Sequence, residues 1–377
     1  MTLSSTHADP TPDLDAERAE TVILGAGQTG LATAHHLRLA GRTCVVLEEH
    51  ARVGDQWRAR YDSLLLNTPA KYDSLPGMPF PAPRQSYPTG AQMADYLESY
   101  VDRFGIDVRT RAHVTSVDRL DDGRYLVTTT GSTYLADNVV VATGGEHHPR
   151  VPELAHRLDP GIRQLHSHDY RNPDQLLPGP VLVVGSSQSG ADLALEIREA
   201  GRETWLSGTV PGEVPVRMDS LAGRVVFPVV WFMWNHVLTT KTPVGRKAQP
   251  RVRHGGAPLV RVKRADLDAA GVHRTDSRTE GVVDGLPQLA DGQVLEVANV
   301  VWCTGFRQEF GFIHPTVTGP DGWPTDEGGI VPDSPGLYFV GLLFQRGFYS
   351  MLIGGAGRDA AYIAGHVAAR ARAAATV

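Results

Sequence analysis

Cysteine is almost missing from this chain: two residues, Cys44 and Cys303, in 377. Each lies inside an apolar, strand-like run (Thr43-Cys44-Val45-Val46-Leu47 and Val300-Val301-Trp302-Cys303), so both read as small buried hydrophobes. That excludes a disulfide framework and a redox-active Cys-x-x-Cys pair. Long hydrophobic runs are absent as well. The strongest, Val225 to Trp234, falls far short of the ~20 residues a spanning helix needs and contains Pro228. Nor is there a cationic excess: 36 Lys and Arg stand against 42 Asp and Glu, a net charge of −6. No nucleic-acid partner is expected, because nothing would displace phosphate counterions. The first twenty residues are polar, acidic and proline-containing, with no basic start and no apolar core. Residues 1–19 are therefore expected to be a flexible leader, not a secretory signal, and the protein to be cytoplasmic.

What is plentiful is glycine, 40 residues, about a tenth of the chain against a usual ~7%. The length calls for two domains, and 41% hydrophobic with 21% charged residues is a globular composition. Thr21-Val22-Ile23-Leu24 has the β-branched character of a buried parallel strand and ends in Gly25-Ala26-Gly27-Gln28-Thr29-Gly30. A helix is expected over Leu31–Ala40, stopped by Gly41, then a strand from Thr43 to Leu47 that finishes at Glu48. A second helix fits residues 92–104, closed by Gly105. Strands follow over Val108–Leu120, Tyr125–Thr130, Thr133–Leu135 and Val139–Val141, an antiparallel meander with a turn at Asp122-Gly123. The pattern then restarts about 160 residues on. Pro180–Val184 is a strand, Gly185-Ser186-Ser187-Gln188-Ser189-Gly190 a glycine turn, Ala191–Ala200 a helix and Thr204–Ser207 a strand. Val300-Val301-Trp302-Cys303-Thr304-Gly305 mirrors Val141-Ala142-Thr143-Gly144. Leu337–Gly341 is a last strand, and Ser350–Ala374 a last helix. The fold class is α/β: two nested Rossmann-like dinucleotide-binding domains, each with an antiparallel β-meander. Residues 20–150 with 310–377 form the first, and 151–309 the second, which carries an apolar insertion near 221–262.

Gly25-x-Gly27-x-x-Gly30 has a physical logic. Gly25 permits the tight turn, Gly27 lets a pyrophosphate approach the backbone, and Gly30 lets the helix pack closely on the strand. Glu48, at the end of the next strand, can accept ribose hydroxyl hydrogen bonds and would repel a 2′-phosphate, which suits FAD or NAD. At the second motif Ser187 replaces the middle glycine. No carboxylate stands at Ser207-Gly208-Thr209, which favours NADP, yet no arginine is there to clamp its 2′-phosphate. Arg217 can fold back to do so, or be a solvated surface arginine; both readings stay open. Ser186, Ser187 and Ser189 are phosphate-loop residues, not nucleophiles, since no base is marked out beside them. His147-His148 has no third ligand and reads as a surface turn. The insertion from Val225 to Leu238 is too apolar to be exposed without cause. It reads as a helix packed on its own domain, a substrate entrance, a contact with a second subunit in a homodimer, or a membrane contact, the last the least expected.

Together with Gly54-Asp55-Gln56-Trp57, Tyr61-Asp62-Ser63-Leu64, Leu75-Pro76-Gly77-Met78-Pro79-Phe80-Pro81, His166-Ser167-x-x-Tyr170-Arg171 and Cys303-Thr304-Gly305-Phe306, the order of these motifs resembles the flavin-containing monooxygenase family. The resemblance is to its bacterial and YUCCA-type branches and covers residues 20–372. It implies an enzyme in which NADPH reduces FAD, dioxygen adds to give a peroxyflavin, and a small organic substrate is oxygenated at nitrogen or sulfur, or by related hydroxylation or decarboxylation. It further implies cofactor contacts from Gln28, Thr29, Glu49, Gly54, Gln56, Trp57, Val114, Thr143, Gly144, Thr304, Gly305 and Gln345. Asn67, in Leu66-Asn67-Thr68-Pro69, is implied beside the flavin as the catalytic amide; alternatively it is a turn residue. Pro160 and Ile162 stand where the family has Phe and Gly. Tyr170, in place of a tryptophan, puts ketone insertion second. An NAD(P)H-dependent flavin reductase or oxidase, and a non-catalytic flavin-binding module, are the alternatives, since fold alone does not decide function.

Overall fold

The computed structural model describes residues 16–375 except 147, 211, 219 and 257. The expected leader before residue 16 and His147 of the His147-His148 pair thus lie outside the described residues. β1 (Glu17–Leu24) starts inside the span expected to be leader, because Glu17 to Ala19 pair with Tyr134 to Ala136. Its last four residues are fully buried, as a central parallel strand requires. α1 (Gln28–Leu39) stops at Gly41, whose φ of +71° suits a residue without Cβ. β2 (Val45–Leu47) lies parallel to β1. The short α2 (Asp55–Arg58) and α3 (Gly90–Phe104) follow; a Thr89/Gln92 capping box starts α3 and left-handed Gly105 ends it. Met93, Ala94, Tyr96, Leu97 and Tyr100 are its buried stripe, at helical spacing.

The stretch expected as one strand is two, β3 (Val108–Arg109) and β4 (Val114–Arg119), separated by Arg111 at φ +59°. The reason is partner choice: β3 completes the parallel edge on β2, whereas β4 joins the antiparallel pair with β5 (Tyr125–Thr129). The opposite holds for β6 (Thr133–Val141), expected as two strands and found as one. Its first half runs antiparallel to β5 and its last residues parallel to β1, so one strand joins meander to Rossmann core.

β7 (His148–Pro149) leads into the second unit: β8 (Arg163–His166), β9 (Val181–Val184), α4 (Gln188–Glu199) and β10 (Thr204–Ser207). Three helices follow, α5 (Leu221–Phe232), α6 (Pro243–Gly255) and α7 (Arg264–Ala270), before β11 (His273–Thr275). β12 (Thr279–Val283) and β13 (Leu286–Leu289) pair antiparallel, and β14 (Asn299–Trp302) returns beside β9. Strands β11-β10-β9-β14-β8 form a five-stranded, wholly parallel sheet. The second meander of the sequence reading is only the β12–β13 hairpin, a separate two-stranded sheet. β15 (Phe306–Arg307), β16 (Ile313–His314) and β17 (Leu337–Phe339) return to the first unit, where β17 pairs with β6 in the eight-stranded sheet. α8 (Ala356–Ala374) begins six residues later than the composition suggests. Two 3-10 turns precede it, packed so closely that a Cβ on Gly354 or Gly355 would overlap the carbonyls of Tyr72 and Tyr349.

The insertion also departs from expectation. α5 continues into a π-helical turn over Met233–Val237, and it packs on both units, against Val214 and Met218 of the domain that carries it and against residues of the first unit. Phe227 and Trp234 are buried with Phe344 and Phe348. The Leu238 carbonyl accepts from Phe348 N at 2.8 Å, and Arg358 donates to the Asn235 carbonyl at 2.7 Å.

Candidate cofactor and active site

Both glycine turns are built alike. Gly25 and Gly185 have φ of +103° and +107°, and a Cβ on either would strike the strand end opposite: Ala142 O at 2.8 Å for Gly25, Cys303 O for Gly185. A Cβ on Gly30 would fall on the Gly25 carbonyl, and one on Gly190 on the Gly185 carbonyl. First and third glycines are therefore required by the protein's own packing. Gly27 is not, since its Cβ would meet nothing closer than Gln56 Oε1 at 4.0 Å. It borders a cavity of about 600 Å³ lined also by Glu48, Glu49, Gln56, Val114, Thr143 and Gly144. Glu48 is 9% exposed, accepts from Ala26 N at 2.9 Å and is held by His50 Nδ1 at 2.7 Å. Thr29 sits at the start of α1, where Gly341 packs against its side chain. Sequence reasoning missed one wall of this cavity, Phe310 to Phe312, which comes from the far end of the chain with no motif to mark it.

Gly54 takes the left-handed conformation at the start of α2, and a Cβ there would meet Ala94 of α3. Trp57 Nε1 and Asn67 Oδ1 are buried without a hydrogen-bond partner. Such orphans carry a cost of about 1–3 kcal/mol each unless something else satisfies them. Gln345 is buried, but its amide donates to Phe339 O at 3.0 Å and to Asp326 at 3.3 Å, so it braces the Gly329 turn and leaves Oε1 unpaired. Behind Asn67, Thr68 donates to fully buried Asp73, whose carboxyl burial pushes up to about 8. The same loop ends at Tyr72, whose ring meets Phe227 and Trp231 of the insertion, both at 4.8 Å.

At the second turn Ser187 begins α4, and Ser186 Oγ donates to Gly208 O at 2.6 Å. Gln188 donates to the Pro258 carbonyl. Ser189 occupies the first turn of α4. Ser207 is fully buried, its hydroxyl bonded to Thr279 Oγ1 at 2.8 Å. Arg217 is exposed and pairs with Asp266 at 2.7 Å, on the segment that follows Pro258. Thr304 and Gly305 belong to the crossing between the units. Thr304 donates to Arg150 O, Arg150 N to Gly305 O at 2.9 Å, and His166 Nε2 lies 3.1 Å from Gly305 O. There β15 pairs antiparallel with β7.

Sequence reasoning also missed a buried ion pair at the base of α4. Asp192, two residues after Gly190, pairs with Arg261 at 2.7 Å and accepts from Tyr61 OH at 3.1 Å. Tyr170 OH, one turn further along, donates to Glu196 at 3.2 Å. The polar positions on an otherwise apolar helix face were the available signal. Neither thiol is poised for chemistry. Burial pushes Cys44 up to about 12 and Cys303 well above the ordinary thiol range. No group of three or more His, Cys, Asp and Glu among the described residues could hold a metal.

Two glycine cradles of one design, each inside a parallel βαβ unit and joined by a crossing ribbon, define a two-dinucleotide oxidoreductase. A family model described as pyridine nucleotide-disulphide oxidoreductase matches residues 22–210. An uncharacterised CzcO-like oxidoreductase of Geobacillus kaustophilus is 34% identical over 91% of this chain and 97% of its own length. The Arabidopsis thaliana protein named probable indole-3-pyruvate monooxygenase YUCCA9 is 32% identical, over 76% of this chain and 74% of its own. Among solved structures, a flavin-containing monooxygenase from Stenotrophomonas maltophilia superposes with a TM-score of 0.75 at 26% identity, covering 94% of this chain and 99% of that one. The chain belongs to the pyridine nucleotide-disulphide oxidoreductase family, in its flavin monooxygenase branch.

Proposed function

We propose that this flavin monooxygenase uses FAD and NADPH to oxygenate a small organic substrate at a soft nitrogen or sulfur atom, or by a related hydroxylation or decarboxylation. NADPH supplies two electrons, and one atom of dioxygen enters the substrate while the other leaves as water. The observation that carries the FAD assignment is the first cradle, with Gly27 open to the cavity and Glu48 closing the ribose end. Gly25, Gln28, Thr29 and Gly30 present the start of α1 to a pyrophosphate. Glu49, Gln56, Val114, Thr143 and Gly144 line the same space. Gly54 and Trp57 flank Gln56 on α2 and are assigned to the cofactor with it, the orphaned indole N–H as a donor. FAD supplies the oxygen-activating ring. Asn67, with its orphaned carbonyl oxygen, is the amide assigned to orient the reacting groups, and the aromatic wall of Tyr72, Phe227 and Trp231 excludes water.

NADPH is assigned to Gly185, Ser186, Ser187, Gln188, Ser189 and Gly190, because no carboxylate follows β10 to repel a 2′-phosphate. Ser207 supports that turn from beneath, Arg217 is the cation assigned to the 2′-phosphate, and Thr304-Gly305 and Gln345 are placed behind the cofactors. Two free thiols, not joined in a disulfide, suit a reducing, cytoplasmic setting. The test is anaerobic reduction by NADPH followed by rapid mixing with oxygenated buffer. A lasting species absorbing at shorter wavelength than oxidised flavin is expected, with a lifetime at least about tenfold shorter in Asn67→Ala. Failure of both NADPH and NADH to reduce the flavin would overturn the reading in favour of a non-catalytic flavin module.

A further inference from the structure

Seven of the twelve exposed large hydrophobics among the described residues lie between Leu221 and Val244. Along α5 they form one stripe: Leu221 is 78% exposed, Val225 75%, Val229 59% and Phe232 58%, spaced four, four and three residues apart. Gly223, Phe227 and Trp234 form the opposite, buried stripe. α5 is thus a helix with two apolar faces, of which the protein uses one. Soluble surfaces rarely carry such a stripe without a partner.

The charge around it identifies the partner. From Ser220 to Ala265 there is no Asp or Glu and there are nine Lys or Arg, in a chain whose net charge is −6. Arg224, Lys241, Arg246, Lys247 and Arg251 are exposed, and no carboxylate among the described residues pairs with any of them. The first unit adds Lys71 and Arg84 near Arg224; burial, then repulsion from these two arginines, holds the Lys71 ammonium below the ordinary lysine range. A second copy docking through this face about a two-fold axis would bring cation against cation. An anionic bilayer accepts both features at once, with apolar side chains in the acyl boundary and cations on the headgroups. No helix among the described residues is long and apolar enough to cross a membrane, so contact would be peripheral.

We propose that the α5–α6 face is a docking surface for anionic lipid bilayers, contrary to the expectation from sequence that membrane contact is the least favoured role of this insertion. The buried face of the same helix stacks on Tyr72 and Phe348, so docking holds the bilayer against the wall that leads to the Asn67 loop.

The experiment is co-sedimentation of the FAD-loaded full chain with vesicles of phosphatidylcholine alone or with a third phosphatidylglycerol. Binding to the anionic vesicles should exceed that to neutral ones by more than about tenfold and fall as salt is raised. Lys241→Ala and Lys247→Ala should each weaken partitioning about fivefold, the equivalent of ~1 kcal/mol per cation at an anionic surface. Val229→Glu should abolish it while flavin content and melting temperature stay unchanged, since that side chain is already in water. No difference between anionic and neutral vesicles overturns the proposal. So does a dimer in sedimentation velocity that Val229→Glu dissociates, because the stripe would then belong to a second copy.

Discussion

Replacing Gly27 by alanine separates cofactor binding from folding. Gly27 caps α1 at φ −74° and ψ 178°, extended backbone that any residue adopts, and its Cβ would have 4.0 Å of clearance. The protein alone therefore has room for the methyl group. Fewer unfolded conformations should leave the FAD-free protein as stable as before or about 0.4–1 kcal/mol more stable, a melting shift of only about 0.5–1 °C for a chain this long. The methyl would, however, project into the cavity shared with Glu48, Thr143 and Gly144, where a pyrophosphate must come closest to backbone. Crowding one methyl group into a filled site costs about 1–3 kcal/mol, which weakens FAD binding roughly fivefold to 150-fold. Gly30→Ala is the contrast. Its Cβ would fall on the Gly25 carbonyl, so α1 must shift off β1 and the FAD-free protein itself should melt lower. Melting by circular dichroism without FAD, and titration of FAD followed by quenching of flavin fluorescence, measure the two effects independently. A Gly27→Ala protein that melts several degrees lower without FAD, yet binds FAD as tightly as the parent, would refute the placement of the dinucleotide.

The buried Asp73 carboxyl, raised to about 8, keeps its proton in the folded state where the unfolded chain has lost it. Its stabilising contribution is therefore complete below about pH 4 and is lost as pH rises to about 8, at up to ~1.4 kcal/mol per unit. Asp73→Asn should flatten the decline of the urea midpoint between pH 5 and pH 8; an unchanged slope would show that the group does not titrate there. Arg261→Met leaves Asp192 without its cation beside Tyr61 and should lower stability by about 3 kcal/mol, the lower end for a broken buried pair because Arg261 is partly exposed. Adding Asp192→Leu to that variant should restore most of the loss in denaturant titrations; no recovery would place the damage elsewhere. Arg217→Ala should raise KM for NADPH about tenfold and leave KM for NADH within twofold, since one charge-assisted contact to a 2′-phosphate is worth ~1.5 kcal/mol or more. Equal effects on both nucleotides would remove Arg217 from the site and leave it only its pair with Asp266.

The parts of this molecule legible in the sequence are those in which one residue type answers one local demand. Gly25 and Gly185 must turn at positive φ against a strand end, Gly41 and Gly105 must end helices, and each of these was readable from glycine and its neighbours. The parallel cores were readable too, because strands buried on both faces lose all alternation. What stayed hidden depends on partners distant in the chain. Nothing local in Val108–Leu120 says that its two ends belong to different neighbours, or that Thr133–Val141 serves two sheets' worth of pairing in one strand. The insertion is the clearest case. Its apolarity was evident, but the periodicity of α5 is nearly the same whichever stripe is buried, and the partners that decide which one faces inward include Phe344 and Phe348, more than a hundred residues on. A helix apolar all round, on the surface of a chain this acidic, has to be read with the cations around it. Some of those cations are distant in the chain, yet the fold brings Lys71 and Arg84 beside Arg224, so the partner of that surface is written in the tertiary structure and not in any motif.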